Sequence, residues 1–268
     1  MNNLEMYCVT NKRLKYLENF SYNLAAVGKE KLPKNYIKCN TGENIFSKEK
    51  YYSELTFHYW FWKNKFNIKN KNWIGFCQKR RFWLQENKFE KLNKNILYKK
   101  ILKEINTEWN DFDAIICKPI KVNNVKKIKM IKRGIKSLVK DPTIFFNTNK
   151  QTIKLHFDMH HGYGNLDKAI DVMNLKDRED FRKFVNKNVS FNPHIMFISK
   201  SITLDKWFSD LFSWLFECEK VFGFEFLKGY KTTRLYAYLA ERYLSFWFNK
   251  YTKNLKWAWG FFDSESID

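Results

Sequence analysis

The chain has 268 residues, 49 Lys and Arg against 28 Asp and Glu, a formal charge of +21, and 19% aromatic side chains. So many aromatics exclude a disordered polymer. Only nine Gly and four Pro exclude collagen-like or linker-rich organisation, and five Cys with no Cys-x-x-Cys pair exclude a disulfide scaffold or a zinc ribbon. The positive surplus points to an anionic partner, and composition does not choose among nucleic acid, phospholipid head groups and a phosphorylated substrate.

In chain order, Met6–Thr10 is a short β-prone run that ends in the polar turn Asn11-Lys12-Arg13, and a helix is expected after it. The segment Cys39–Asn44 is rich in turn formers. Ser47 to Asn64 reads as a helix, because Tyr52, Leu55, Tyr59 and Trp62 recur at spacings of three and four on one face. Apolar runs at Trp73–Cys77, closed by Gln78-Lys79-Arg80-Arg81, and at Ala114–Cys117 read as strands in which the thiols act as small hydrophobes. The stretch Lys121–Lys140 carries eight Lys or Arg and no acid, interleaved with Val, Ile, Met and Leu. It reads either as a solvated face or as an amphipathic basic surface for an anionic lipid or substrate. A helix over Leu166–Met173 and a strand over His194–Ser199 follow, and two helices, Leu204–Val221 and Thr233–Phe248, close the chain. Strands alternating with helices predict an α/β layered fold. No linker and no repeat divides residues 1–268, which read as one domain. The N-terminus has no apolar core of signal-peptide length, and no run approaches the ~18 apolar residues of a membrane span. A cytoplasmic protein, at most peripheral on a membrane, is expected.

Motifs of phosphate loops, dinucleotide folds, zinc proteases and serine hydrolases are absent from the sequence. His156, His160 and His161 place two imidazoles on one helical face without a third ligand fixed by spacing, and substrate contact is the preferred reading over a metal. Arg80 and Arg81 are more informative. Ligands of open α/β sheets bind at the carboxyl ends of strands, and two guanidinium forks directly after a buried strand suit a diphosphate.

The strings Met6–Lys12, Asn40–Ile45, Tyr52–Thr56 with Tyr59–Asn64, and Ile74–Phe82 resemble one bacterial family. So do His160-His161 with Asn165–Asp167, Asn192–Met196, Trp214–Phe216, and Ala240–Arg242 with Trp247-Phe248, in the same order. That family, of DUF4422 type, was long catalogued as a domain of unknown function and is grouped with glycosyltransferases that build capsule, exopolysaccharide and O-antigen, among them galactofuranosyltransferases. Where its members read Cys-His-Tyr-Arg-Arg, this chain has Cys77-Gln78-Lys79-Arg80-Arg81, and the basic segment 121–140 looks like an insertion.

The resemblance implies a single GT-A-like (Rossmann-like) nucleotide-sugar domain with C-terminal helices. It implies a UDP-sugar donor, galactofuranose by preference, held at the carboxyl ends of the strands by Thr10, Asn11, Lys12, Thr41, Gly42, Asn44, Tyr52, Arg80 and Arg81. Enzymes of this fold commonly hold the donor diphosphate through a metal on an Asp-x-Asp motif. Asp111-Phe-Asp113 precedes its strand and reads as a surface turn, so no tightly bound cofactor and no divalent metal are expected. The arginines are expected to take the metal's place. Inversion needs a carboxylate base, for which Asp167 and Glu241 are the candidates. His160, His161, Asn192 and Met196 are implied for a glycan acceptor, carried on a polyprenyl diphosphate at an anionic membrane surface. Nucleic acid is not an expected partner. The competing readings are a basic nucleic-acid-binding protein and a non-catalytic relative that binds glycan or membrane.

Overall fold

The computed structural model describes residues 3–263, and the chain divides into two compact units. The first comprises residues 1–118, 194–209 and 247–268, and the second residues 119–193 and 210–246.

The first unit is built on a mixed sheet. Its strands are β1 (Leu4–Thr10), β2 (Asn23–Ala26), β3 (Ile37–Lys38), β4 (Trp73–Gln78), β5 (Arg81–Trp83), β6 (Lys91–Leu92) and β7 (Ala114–Cys117). In the second unit β8 (Ile120–Lys121) pairs with β9 (Ser190–Phe191). The first unit's sheet is completed by β10 (Phe197–Lys200), β11 (Asn254–Trp257) and β12 (Trp259–Phe262). The order is β11-β7-β10-β4-β1-β2-β3, with β5, β6 and β12 as a side branch. All neighbours on that path are parallel except β10, which runs antiparallel to both β4 and β7. From Met6 to Thr10 and from Trp73 to Cys77 every side chain is buried, as expected of parallel strands covered on both faces. The five cysteines are buried and form no disulfide.

The chain visits β1, β2 and β3 outward in one direction and then returns to place β4 on the other side of β1. That reversal makes the carboxyl ends of β1 and β4 the switch point at which open α/β sheets bind their ligands.

The helices are α1 (Glu49–Tyr52), α2 (Leu55–Trp60), α3 (Lys94–Lys100), α4 (Lys127–Lys140), α5 (Ile153–His161), α6 (Asn165–Asp171), α7 (Leu175–Lys187), α8 (Ser201–Phe222), α9 (Tyr230–Thr233) and α10 (Leu235–Tyr251). Among the described residues, no helix is long and apolar enough to cross a membrane.

Three expectations are corrected and one helix is added. The helix expected after Arg13 is a single turn, Lys15–Leu17, and the chain then enters β2. The helix expected over residues 47–64 is broken at Ser53, which adopts φ 52° and separates α1 from α2, although Tyr52, Leu55 and Tyr59 keep their common buried face. The α7 helix, with Asp177, Phe181 and Val185 buried along one side, was not anticipated. The two long helices do not close the chain, because β11 and β12 follow and join the sheet.

Candidate active site

Three loops meet at the switch point. After β1, the Thr10 hydroxyl accepts the Lys12 N–H at 3.0 Å and donates to the Lys12 carbonyl at 2.6 Å, closing a tight turn that presents Asn11. After β2 stands Gly28, with φ +79°, where a side chain would be strained. A Cβ there would sit 3.5 Å from Asn11 Cβ and 3.6 Å from Glu49 Cδ, so this glycine lies where the β1 loop and α1 come together. After β4, Lys79 and Arg80 form the turn into β5, which pairs Gln78 with Arg81.

Side chains lock these loops to one another. Lys79 Nζ donates to Asn11 Oδ1 at 2.6 Å, and Tyr16 donates to the Lys79 carbonyl at 2.7 Å. Gln78 donates to Glu54, and Arg81 donates to Gln78 Oε1 at 3.3 Å. Arg80 pairs with Asp263 at 3.1 Å. Both guanidiniums lie near the Phe261 ring, 4.9 Å away for Arg80 and 5.8 Å for Arg81. The ring and the carboxylate fix the planes of the forks, which lowers the entropy an anion must overcome to engage them.

Beside this cluster, where β2 and β3 end, lies a pocket of about 570 Å³. Lys29, Lys31 and Lys38 supply cations there, and Phe46 supplies a ring. The expected residues Thr41, Gly42 and Asn44 sit in the exposed loop that follows, and of this stretch it is Asn40 that lines the pocket. The loop is pinned by Asn64, which accepts the Glu43 N–H at 3.1 Å and donates to the Glu43 carbonyl at 2.8 Å. Tyr52 is fully buried, behind the surface a ligand can reach. The three lysines escape the sequence reading because β2 does. The signal that could have found them is the buried run Leu24–Val27 ending in Gly28-Lys29.

The acceptor and base candidates, Met196 apart, fall in the second unit. Glu241 pairs with Arg242, whose guanidinium is 1% exposed and lies 4.0 Å over the Phe191 ring. Arg242 also approaches His156 Nδ1 at 3.2 Å, and His156 and His160 have ring centroids 4.7 Å apart. Arg133 approaches His160 Nδ1 at 3.2 Å, and His161 stacks on Tyr238 at 3.7 Å. Burial, with Arg242 nearby, depresses His156 to about 2 and His161 to about 3. Burial and Arg133 hold His160 at about 4. All three imidazoles are neutral at pH 7 and offer a lone pair or an N–H to a hydroxyl-rich ligand. Thus Glu241, His160 and His161 are brought into one cluster with Arg242, and Arg133 is an addition that the sequence reading did not place there.

Asp167 lies in a different place, a polar pocket of about 490 Å³ that also holds Asp158, Tyr163 and Asn186. Lys154 bridges the two carboxylates, at 2.8 Å to Asp158 and 2.9 Å to Asp167. Asn192 is buried, its backbone N–H donating to Ser245 Oγ at 2.7 Å. Met196 is fully buried in the core of the first unit and presents no surface to an acceptor. Asp111 and Asp113 lie in the turn that leads into β7, at the strand's amino end, as expected. Among the described residues, no group of three or more His, Cys, Asp or Glu is placed to hold a metal ion.

A mixed sheet whose main path is parallel except for β10, helices on its faces and a polar cluster at the carboxyl ends of β1 and β4 define a GT-A-like α/β protein. The chain belongs to the family described as domain of unknown function DUF4422, whose model matches residues 5–253. It is similar to the apo structure of WbbM, a bifunctional glycosyltransferase, with a TM-score of 0.75 and 18% identity over 98% of this chain. The match covers 46% of that structure, so the chain spans just under half the length of the protein it resembles. No curated protein matches it.

Proposed function

We propose that this protein is a glycosyltransferase that takes a sugar from a UDP donor and passes it to a growing cell-surface glycan, with galactofuranose as the sugar. One observation carries the reading: the set Asn11–Lys79 and Glu54–Gln78–Arg81 closes over the switch point beside a pocket that holds three lysines and an aromatic ring. A nucleoside diphosphate has the matching parts, a base to lie against Phe46 and two phosphates to meet ammonium and guanidinium groups.

In the proposed reaction, an acceptor hydroxyl oxygen bonds to the sugar's anomeric carbon as the bond to the diphosphate oxygen breaks on the opposite face. UDP leaves with the electron pair, and the hydroxyl proton passes to a carboxylate. Arg80 and Arg81 supply the fixed positive charge that the leaving diphosphate needs, in place of a divalent metal. Glu241 and Asp167 are the two carboxylates proposed as base. The acceptor is proposed to be a glycan on a polyprenyl diphosphate, with His160 and His161 as hydrogen-bonding partners of its hydroxyls.

The test is a thermal-shift screen with UDP, UDP-galactofuranose, UDP-galactopyranose, UDP-glucose and GDP-mannose, each with manganese and with EDTA. UDP at 100 times its dissociation constant adds about 2.7 kcal/mol, a rise of roughly 5–10 °C for a chain of this size. A UDP-selective rise that EDTA leaves intact is expected, and no rise with any nucleotide would overturn the reading. Glu241→Gln and Asp167→Asn then identify the base. The correct one lowers kcat by roughly 10²–10⁴ with donor binding unchanged.

A further inference from the structure

The α4 helix has three distinct faces. Met130, Gly134 and Ser137 point inward, and a Cβ on Gly134 would stand 3.4 Å from Met159 Cγ, so the helix rests closely on α5. A second face carries Lys129, Lys132, Arg133, Lys136 and Lys140, and the helix contains no acidic residue. The third face is apolar and faces water. It consists of Ile128, 70% exposed, Ile131 and Ile135, each 51% exposed, and Val139, 77% exposed. At 100° per residue these four fall within an arc of about 80° along the whole helix. Phe146, 80% exposed, belongs to the same region, since Lys127 at the start of α4 lies 6.0 Å from its ring and 5.1 Å from that of Phe145.

A water-facing row of aliphatic side chains this long is unfavourable unless something covers it. The inward face already anchors the helix, so the row is not left over from core packing. The adjoining cations select what covers it. A second copy of this chain would bring the same lysine-rich helix against itself. Nucleic acid would satisfy the lysines but leave the aliphatics in water. An anionic bilayer satisfies both, with aliphatic side chains in the acyl boundary and long basic side chains reaching the head groups.

We infer that α4 is an in-plane membrane anchor. Ile128, Ile131, Ile135 and Val139, with Phe146, enter the acyl boundary of an anionic lipid surface, while Lys132, Lys136 and their neighbours hold its phosphates. The anchor explains the basic segment 121–140 as a device for lipid attachment, and its readout does not depend on sugar transfer.

The experiment is flotation of the full chain with vesicles of phosphatidylcholine, with and without 30% phosphatidylglycerol. Binding to the anionic vesicles is expected, and binding that is equal on neutral ones would overturn the assignment of lipid charge. The double variant Ile131→Ser/Ile135→Ser is expected to lower the partition coefficient at least tenfold. Lys132→Gln/Lys136→Gln is expected to lower it by a similar factor and to reduce its salt dependence. Unchanged binding of the isoleucine variant would reduce the attachment to bulk charge and refute insertion. Failure of the wild-type chain to float, with concentration-dependent dimers in light scattering that the isoleucine variant abolishes, would assign the row to a second copy instead. The melting temperature and the UDP-induced shift of both variants serve as controls and are expected to stay at wild-type values, because the substituted side chains are exposed.

Discussion

Acid should destabilise this protein well above the range in which carboxylates titrate, because its histidines are buried neutral. His58 is fully buried against Phe76, Phe197 and Phe208, and burial lowers it to about 3. Burial likewise lowers His156 to about 2 and His161 to about 3, with Arg242 adding to both. An unfolded histidine titrates near 6.5. Between that value and the depressed folded one, the unfolded chain binds a proton that the folded chain refuses, so stability rises with pH and is lost as pH falls below about 6.5. From pH 7.5 to 5.5 each such histidine withdraws about 1.4 kcal/mol, or about 4 kcal/mol for the three. His194, pushed well below its ordinary value by burial and then by Arg81, acts in the same direction.

His156 and His161 belong to the second unit together with His160, which burial and Arg133 hold at about 4, so about 4 kcal/mol of the loss falls there if the units melt separately. Urea denaturation at pH 7.5, 6.5 and 5.5, followed by tryptophan fluorescence and by circular dichroism, measures the slope. His156→Gln keeps an oxygen acceptor for Arg242 and should remove about 1.4 kcal/mol of the pH dependence between pH 7.5 and 5.5, roughly a fifth of what the five histidines supply. A midpoint that does not move between pH 7.5 and 5.5, or imidazoles that titrate near 6.5 in the folded protein by NMR, would refute the reasoning.

Further expectations follow from single side chains. Gly42 has φ +61° and its Cβ position lies 2.0 Å from Asn64 Oδ1, whereas Gly164 has φ +78° and open space around it. Gly164→Ala should therefore cost about 1 kcal/mol from backbone strain alone, and Gly42→Ala more, because it also displaces the amide that pins the Glu43 loop; the comparison is read from the two melting temperatures. Arg242→Met removes the buried partner of Glu241 and should cost roughly 3–5 kcal/mol in urea denaturation. Lys79→Met and Arg81→Met each remove one charged hydrogen bond of the proposed donor site. Calorimetry should show UDP affinity reduced roughly 10- to 100-fold with stability near wild type.

How much of this was legible in the sequence depends on whether the deciding contact is local. Strands β1, β4 and β7 announce themselves, because a central parallel strand is apolar on both faces and any window of five residues shows it. The long α8 and α10 helices are equally plain from their spacing. Asn23–Ala26 is not, since Asn-Leu-Ala-Ala carries no β-branched or aromatic residue, and only pairing with β1 makes it a strand. The strands β11 and β12 likewise exist through partners that lie far away in sequence, Ala114–Cys117 for β11, and Arg81–Trp83 and Lys91-Leu92 for β12. The break at Ser53 occurs without Gly or Pro, so no local rule signals it.

The same division runs through the candidate sites. Thr10, Asn11, Arg80 and Arg81 were readable as the residues that follow buried strands, and the sheet order places them at the switch point. Arg242 was readable as a neighbour of Glu241 but not as a buried guanidinium. Its burial depends on Phe191, His156 and Glu241, which meet only after the second unit folds. The α4 helix shows the distinction most sharply. Its sequence gives the amphipathic period, but a period alone does not say which stripe faces inward. Here Gly134 lets the helix lie close against Met159, so Met130, Gly134 and Ser137 turn inward and the isoleucines stay outside. In an ordinary surface helix the large aliphatics take the core and the small residues tolerate water. Here Gly134 and Ser137 go in beside Met130 while Ile128, Ile131, Ile135 and Val139 stay out, so the proposed destination of the apolar row lies outside the folded chain, and the lysines beside it favour a negatively charged one.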